Sequence, residues 1–342
     1  MTSPITDDGT SHCSTLRTGR RPWPPVRRRT ALIHAALALL PLVPSSATTL
    51  WELAEHVFPI PAVPWADVPL RTISAMLLVP VLIWITSSKA SGAIGIPKGL
   101  PRRLITVAAA CVVAVAVIAM NTFVTVEIDP VLLRISTQLG SVVLATSVII
   151  GLAARRGLNA RALGLGRPRR GDLAVFAAAL ATFAAGGLLI HTGMLWDGVP
   201  EIHRTSAAFF TPWEQAELAV MILNASFVEE LVLAGVASAI LAERFSRWGW
   251  WGAVAVLAAM RVLSHLLISP WQVVSFALAG VVLPLLYRWR RRLWPLIAAH
   301  LTYNVINAWA STYWAVGTAA AVGAAVLIAH ALRRDRQRAG NR

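Results

Sequence analysis

The chain has 342 residues, of which 56% are hydrophobic and only 14% are charged, whereas soluble domains carry about 25% charged residues. The mean hydropathy is +0.64, and several apolar runs of about twenty residues could each cross a hydrocarbon core roughly 30 Å thick. A soluble enzyme with one anchor is excluded, because no polar segment is long enough for a separate globular domain. The net charge of +15 lies in short clusters between apolar runs. It therefore indicates topology signals and contacts with anionic lipid, not nucleic acid binding.

The order of apolar runs predicts an all-α, polytopic transmembrane helical bundle of about ten membrane segments. Residues 1–30 carry six arginines and little apolar periodicity, which is typical of a disordered cytoplasmic tail. Residues 31–170 hold the first membrane segments, 171–333 the membrane core, and 334–342 a second basic tail. The predicted segments are 31–48, 70–88, 104–126, 131–153, 172–195, 215–242, 249–268, 271–287, 293–311 and 314–332.

The connections between these segments alternate between basic and acid-leaning composition. The positive-inside rule therefore predicts that both termini are cytoplasmic, which an even number of crossings allows. Arginine supplies nearly all the positive charge and alanine is abundant, which favours a GC-rich bacterial genome. We therefore expect a multi-pass protein of the bacterial cytoplasmic (plasma) membrane.

Polar side chains that are costly in lipid mark three of the later segments. Each ionised group at a helix centre costs about 2.5–3.5 kcal/mol, so these groups must meet one another or line a wet cavity. A structural polar cluster is the alternative, but asparagine alone would suffice for that purpose. The candidates are Glu229, Glu230, Arg261, His265, His300 and Asn304.

The spacing of these residues favours hydrolytic chemistry. His300 and Asn304 are four residues apart and share one helix face, as do Arg261 and His265. A glutamate can take a proton from water, and imidazole and amide groups can donate to a developing oxyanion. No Gly-x-Ser-x-Gly elbow lies near these residues, which favours attack by water over a covalent intermediate. At about 1.5 Å per residue, however, His300 lies roughly 10 Å and His265 roughly 24 Å from the cytoplasmic starts of their segments.

These residues resemble the motifs of the CPBP family of intramembrane endopeptidases, named for CAAX prenyl protease and bacteriocin processing and also called Abi. The family pattern is Glu-Glu-x-x-x-Arg, Phe-x-x-x-His and His-x-x-x-Asn on successive helices. The resemblance covers about residues 215–310, and all three motifs occur in order. The matching residues are Glu229, Glu230, His265, His300 and Asn304.

The resemblance implies a catalytic role for four residues and no metal cofactor. Glu229 is similar to the general base that activates water, and His265 to its partner on that water. His300 and Asn304 are similar to the oxyanion-stabilising pair, and Glu230 to a supporting carboxylate. The substrate would be a membrane-proximal peptide or a small membrane protein.

Two positions depart from the family pattern. Ala234 stands where the motif has arginine, and Arg261 stands where it has phenylalanine. A buried arginine needs an anion, so we predict that Arg261 supports the site by pairing with Glu230. The alternative is that Arg261 extends to an interface or contacts backbone carbonyls only.

Other functions stay open at this point. Zinc held by Glu229, His265 and His300 is one alternative mechanism, although the His-Glu-x-x-His spacing is absent. A catalytically inactive scaffold or bacteriocin self-immunity protein is another, because the motif arginine is missing. A proton-coupled transporter would also use intramembrane glutamate and histidine, but no internal repeat is visible.

Overall fold

The computed structural model describes residues 28–43, 130–155, 158–169, 171–197, 210–242, 247–265 and 269–309, with isolated residues between them. The predicted segments 70–88 and 104–126, and most of 314–332, lie outside the described residues. So do most of the amino-terminal tail and all of the carboxyl-terminal tail. No strand occurs in the described part of the chain.

The helices are α1 (Arg28–Leu39, followed by a 3₁₀ turn at Leu40–Leu42), α2 (Pro130–Arg155), α3 (Asp172–Trp196), α4 (Pro212–Leu223), the π-helix π1 (Asn224–Ala237), α5 (Ser238–Ala242), α6 (Arg247–Leu263), α7 (Pro270–Arg290) and α8 (Trp294–Trp309). The α4, π1 and α5 segments follow one another without a break.

Three of the described helices are long and apolar enough to cross a membrane: Asp172–Gly193, Pro212–Leu241 and Pro270–Arg290. Shorter apolar helices cover Ala31–Leu42, Gln138–Ala153 and Gly249–Leu263. The prediction of an all-helical fold is confirmed for the described residues, and three of their helices are candidate membrane spans. The number of ten segments and the position of the termini stay predictions.

Helices α3 and α7 pack antiparallel, and polar contacts tie them together at both ends. At one end Trp271 Nε1 donates to Asp197 Oδ2 over 3.1 Å. At the other end Arg292 Nη2 donates to Asp172 Oδ2 over 2.7 Å, and Trp294 Nε1 donates to the same oxygen over 2.9 Å. We call these the Asp197 end and the arginine end of the bundle.

Helix α6 also packs antiparallel to α7. A Cβ atom added at Gly280 would lie 2.5 Å from the Cα atom of Ala258, so the absence of a side chain lets the two helices approach closely. The Arg288 guanidinium lies 4.5 Å from the ring centroid of Trp250, which places the start of α6 at the arginine end.

The continuous helix Pro212–Ala242 starts at the Asp197 end. Thr211 and Glu214 form a capping box, and Pro212 occupies the first turn, where its missing N–H costs nothing. A Cβ at Gly235 would lie 2.7 Å from a Leu293 methyl carbon, so π1 reaches the arginine end.

The predicted segment 249–268 is too long. Helix α6 ends at Leu263, and His265 lies in the turn beyond it. The Arg261 carbonyl, which would accept the His265 backbone N–H in a continuing helix, instead bonds the His265 ring nitrogen Nδ1 at 2.6 Å. The His265 N–H bonds the Val262 carbonyl at 3.1 Å, which tightens the last turn.

Candidate active site

The π-helix π1 carries both predicted glutamates. Such helices are rare, and π-turns occur frequently at functional sites. Their i→i+5 bonding widens the turn, so successive side chains point in closer directions than the roughly 100° of an α-helix. Glu229 and Glu230 both reach Arg261, although not equally.

Arg261 is buried between the glutamates, with 2% of its side chain exposed. Its Nη2 donates to Glu230 Oε1 in a short hydrogen bond and to Glu229 Oε2 over 3.3 Å. Its guanidinium carbon lies 5.9 Å from the ring centroid of Phe183 on α3. The pairing of Arg261 with Glu230 that the sequence predicts is therefore present, and Arg261 does not extend to an interface.

His265 is held on both sides of its ring. It stacks on Phe276 of α7 with 3.8 Å between centroids. Because a carbonyl oxygen only accepts hydrogen bonds, the bond to Arg261 assigns the proton to Nδ1 and leaves a lone pair on Nε2 in the neutral ring. That Nε2 lies 3.7 Å from Glu229 Oε1.

His300 is bound to the other glutamate. Its Nδ1 donates to Glu230 Oε1 over 2.9 Å. Its ring stacks on Phe183 with 4.4 Å between centroids and an interplanar angle of 23°. The buried Glu230 carboxylate therefore fixes the orientation of the His300 ring through Nδ1 and leaves Nε2 for other contacts.

Asn304 is anchored one turn away from His300. Its Nδ2 donates to Ser226 Oγ over 3.2 Å, and Ser226 lies on π1, three residues before Glu229. The amide nitrogen carries a second proton that this bond does not use. Asn304 therefore approaches the helix of the glutamates through Ser226 and not through a carboxylate.

The six predicted residues do not meet at a single carboxylate. One branch joins Glu229 to His265 and the other joins Glu230 to His300, with Arg261 bonded to both glutamates. The Glu229–His265 branch is the more accessible: 12% and 23% of these side chains are exposed, whereas Glu230 is fully buried.

Three contributing residues were missed as site residues from the sequence. Phe183 contacts His300 and Arg261 from α3, Phe276 supports His265, and Ser226 anchors Asn304. Ser226 offered a signal, because it is a polar residue close to Glu229 in an apolar run. Phe183 offered none, since a phenylalanine in an apolar segment looks like any other lipid or core residue.

Among the described residues, no group of three or more His, Cys, Asp or Glu side chains is arranged to hold a metal ion.

The described helices thus gather carboxylates, imidazoles and an amide among apolar segments. Residues 211–306 match a protein-family model described as Type II CAAX prenyl endopeptidase Rce1-like. This match confirms the resemblance to CPBP endopeptidases over that region and supports a protease. It includes all six predicted site residues, whereas Phe183 lies before it. The chain matches no curated protein and no solved structure.

Proposed function

We propose that the protein is an intramembrane glutamic endopeptidase that hydrolyses a peptide bond with a water molecule activated by Glu229 and His265. One observation carries the proposal. Glu229 Oε1 and His265 Nε2 face each other at 3.7 Å, and in the assigned tautomer both atoms are acceptors. Two facing acceptors need a donor between them, and a water can donate one proton to each. The lone pairs of that water are then available for attack.

The hydrolytic step balances within this set. The water oxygen bonds to the carbonyl carbon while Glu229 takes one of its protons. The C–N bond then breaks, and the proton passes from Glu229, with His265 as its partner, to the leaving amine. The products are a carboxylic acid and an amine, and no covalent enzyme intermediate forms.

His300 and Asn304 are proposed to stabilise the oxyanion. His300 is bound to Glu230 through Nδ1, so its Nε2 is the ring nitrogen left to face the oxyanion, and it donates there when it carries a proton. The second amide proton of Asn304 supplies the other donor.

Arg261 and Glu230 are proposed as supporting residues. Arg261 holds both carboxylates with its guanidinium and fixes the His265 tautomer with its carbonyl oxygen. Glu230 orients His300. The arginine absent at position 234 is thus replaced by one from the neighbouring helix α6.

The substrate is proposed to be a membrane-proximal peptide or a small membrane protein. The description of the matched family names a prenyl group, but the substrate proposed for this chain does not include one. We place the protein in the bacterial plasma membrane as a multi-pass bundle of about ten segments, with anionic lipid at its basic connections.

Cleavage of a fluorogenic peptide by detergent-purified protein tests the proposal. Glu229→Gln should abolish cleavage, and a chelator should leave it unchanged. Glu217→Gln is the matched control, because Glu217 lies on α4 outside the site. Equal cleavage by wild type and Glu229→Gln would refute the mechanism. An absence of cleavage from every peptide would favour an inactive scaffold or self-immunity protein, and proton-coupled solute uptake would favour a transporter.

A further inference from the structure

The last turn of α6 leaves one backbone carbonyl for side chains to bind. In a continuing helix the Arg261 carbonyl would accept the backbone N–H of His265, four residues further on. That N–H bonds the Val262 carbonyl instead, at 3.1 Å. Two side chains take its place: Ser264 Oγ donates to the Arg261 oxygen over 3.0 Å, and His265 Nδ1 lies 2.6 Å from the same oxygen. Both lone pairs of this carbonyl oxygen therefore meet a side-chain donor.

Ser264 and His265 also contact each other. Ser264 Oγ lies 3.2 Å from His265 Nδ1, so these two atoms form a triangle with the Arg261 oxygen. A hydroxyl that donates to the carbonyl turns its lone pairs towards its other neighbours. His265 Nδ1 then faces two oxygen acceptors, which a proton on Nδ1 can serve. A bare Nδ1 would instead face the carbonyl oxygen with two lone pairs opposed at 2.6 Å.

The serine thereby favours the tautomer that the proposed water site needs. With its proton on Nδ1, the neutral ring has its lone pair on Nε2, which faces Glu229 Oε1 at 3.7 Å. Phe276 stacks on the same ring with 3.8 Å between centroids, which restrains the plane of the ring. A stacked ring can still carry its proton on either nitrogen. The position of the proton is therefore decided by the atoms that contact Nδ1, which are the Arg261 oxygen and Ser264 Oγ.

Ser264 also favours the end of the helix. Serine side chains compete with the helix backbone for carbonyl groups, and Ser264 bonds the carbonyl that the next helical turn would use. His265 consequently lies in the turn after Leu263, the last residue of α6. Alanine at position 264 would remove the competing hydroxyl, and alanine is the residue that most favours a helix. In a continued α6 the His265 N–H would occupy the Arg261 oxygen, and the ring would lose its bond.

We infer that Ser264 is a positioning residue of the site, which fixes the proton on His265 Nδ1 and turns Nε2 towards Glu229. It acts through His265 and takes no part in the proton transfers. The family pattern specifies a histidine at this place and leaves the residue before it open, so the assignment comes from the contacts of this chain. The inference rests on the proposed endopeptidase function for its effect on cleavage, but the tautomer can be measured alone.

Threonine and valine at position 264 test the hydroxyl, because the two side chains have nearly the same shape and only threonine keeps the Oγ–H. Cleavage of the fluorogenic peptide gives kcat and KM for Ser264→Thr and Ser264→Val. Ser264→Ala repeats the test in case a branched side chain does not fit this turn. Thr192→Val is the matched control, because exposed Thr192 on α3 makes a similar bond to the Leu188 carbonyl over 2.8 Å.

The tautomer is read from the nitrogen-15 chemical shifts of the histidine rings, which differ between a protonated and a bare ring nitrogen. The full-length protein is labelled at its histidine ring nitrogens and placed in lipid bilayers. It is then measured by solid-state NMR at alkaline pH, where histidine rings are neutral. The signals of His265 are those that disappear in His265→Gln.

We expect Ser264→Thr to keep both the kcat of the wild type and the proton on Nδ1. Ser264→Val and Ser264→Ala should lower kcat several-fold with KM unchanged, and part of the His265 proton should move to Nε2. Thr192→Val should change neither. Equal kcat and spectra in wild type and Ser264→Val would overturn the inference. So would a lower kcat with the proton wholly on Nδ1, or equal losses in Ser264→Thr and Ser264→Val, because a serine that only stabilises the helix end gives those results.

The outcome is separable from that of the proposed function. A move of the His265 proton in Ser264→Val, in a protein that cleaves no peptide, would keep the positioning role and remove the protease. Cleavage that depends on Glu229 but not on the residue at position 264 would keep the protease and remove the positioning role.

Discussion

Arg261→Met is the most informative single change, because it removes the guanidinium and keeps an unbranched apolar side chain. Arg261 bonds both glutamates, so the change leaves two adjacent carboxylates without their cation in a buried site. Breaking a buried pair from one side typically costs about 3–5 kcal/mol. The glutamates can lower that cost by taking up a proton, and a protonated Glu229 no longer acts as a base. The uncompensated charges should lower Tm, and protonation of Glu229 should lower kcat, because a protonated carboxyl cannot take a proton from water.

The assay pairs peptide cleavage with thermal unfolding in detergent. Arg261→Lys keeps a charge but loses the planar fork that reaches two carboxylates, so its activity should lie between wild type and Arg261→Met. Arg288→Met is the control, because Arg288 is exposed and stacks on Trp250 at the arginine end. Adding Glu230→Gln to Arg261→Met should recover part of the stability, since one of the two carboxylates left without a cation is removed. Unchanged kcat and Tm for Arg261→Met, or strictly additive effects in the double variant, would refute the reasoning.

The remaining predictions concern residues around this pair and the amino-terminal tail. Ser226→Ala removes the hydrogen bond that positions the Asn304 amide, so kcat should fall. The lost bond, worth about 1 kcal/mol of stability, should lower Tm by only a few degrees. A fall in Tm without a fall in kcat would contradict the prediction. Phe183→Leu removes the ring that stacks on His300 and should lower kcat. Phe176→Leu, a control on the same helix, should leave kcat unchanged. Equal effects of the two changes would mean that Phe183 contributes only general packing. Deletion of residues 1–25 should leave the activity of correctly inserted protein largely intact, and complete loss would show that the tail acts in the site.

The sequence by itself determined the chemical inventory of the site. Charged residues in apolar runs are costly, so Glu229, Glu230 and Arg261 could be identified as interior groups without any structure. The four-residue spacing put His300 and Asn304 on one face of α8. For Arg261 and His265 the predicted shared helix face was wrong, because α6 ends at Leu263 and His265 lies in the turn beyond it. The cost of a buried charge also predicted that Arg261 needs a carboxylate partner. The inferences that hold depend on composition and on the period of one unbroken helix.

Tertiary structure decided how these groups are shared between helices. His265 and His300 lie at different depths along their segments, and the structure allows this because each histidine contacts a different glutamate. The His265 ring also turns back to the Arg261 carbonyl. The winding of π1 brings both glutamates to one arginine, and Phe183 enters from a helix outside the motif region. None of this follows from periodicity, because contacts between helices depend on tilt, on winding and on the reach of side chains from neighbours distant in sequence.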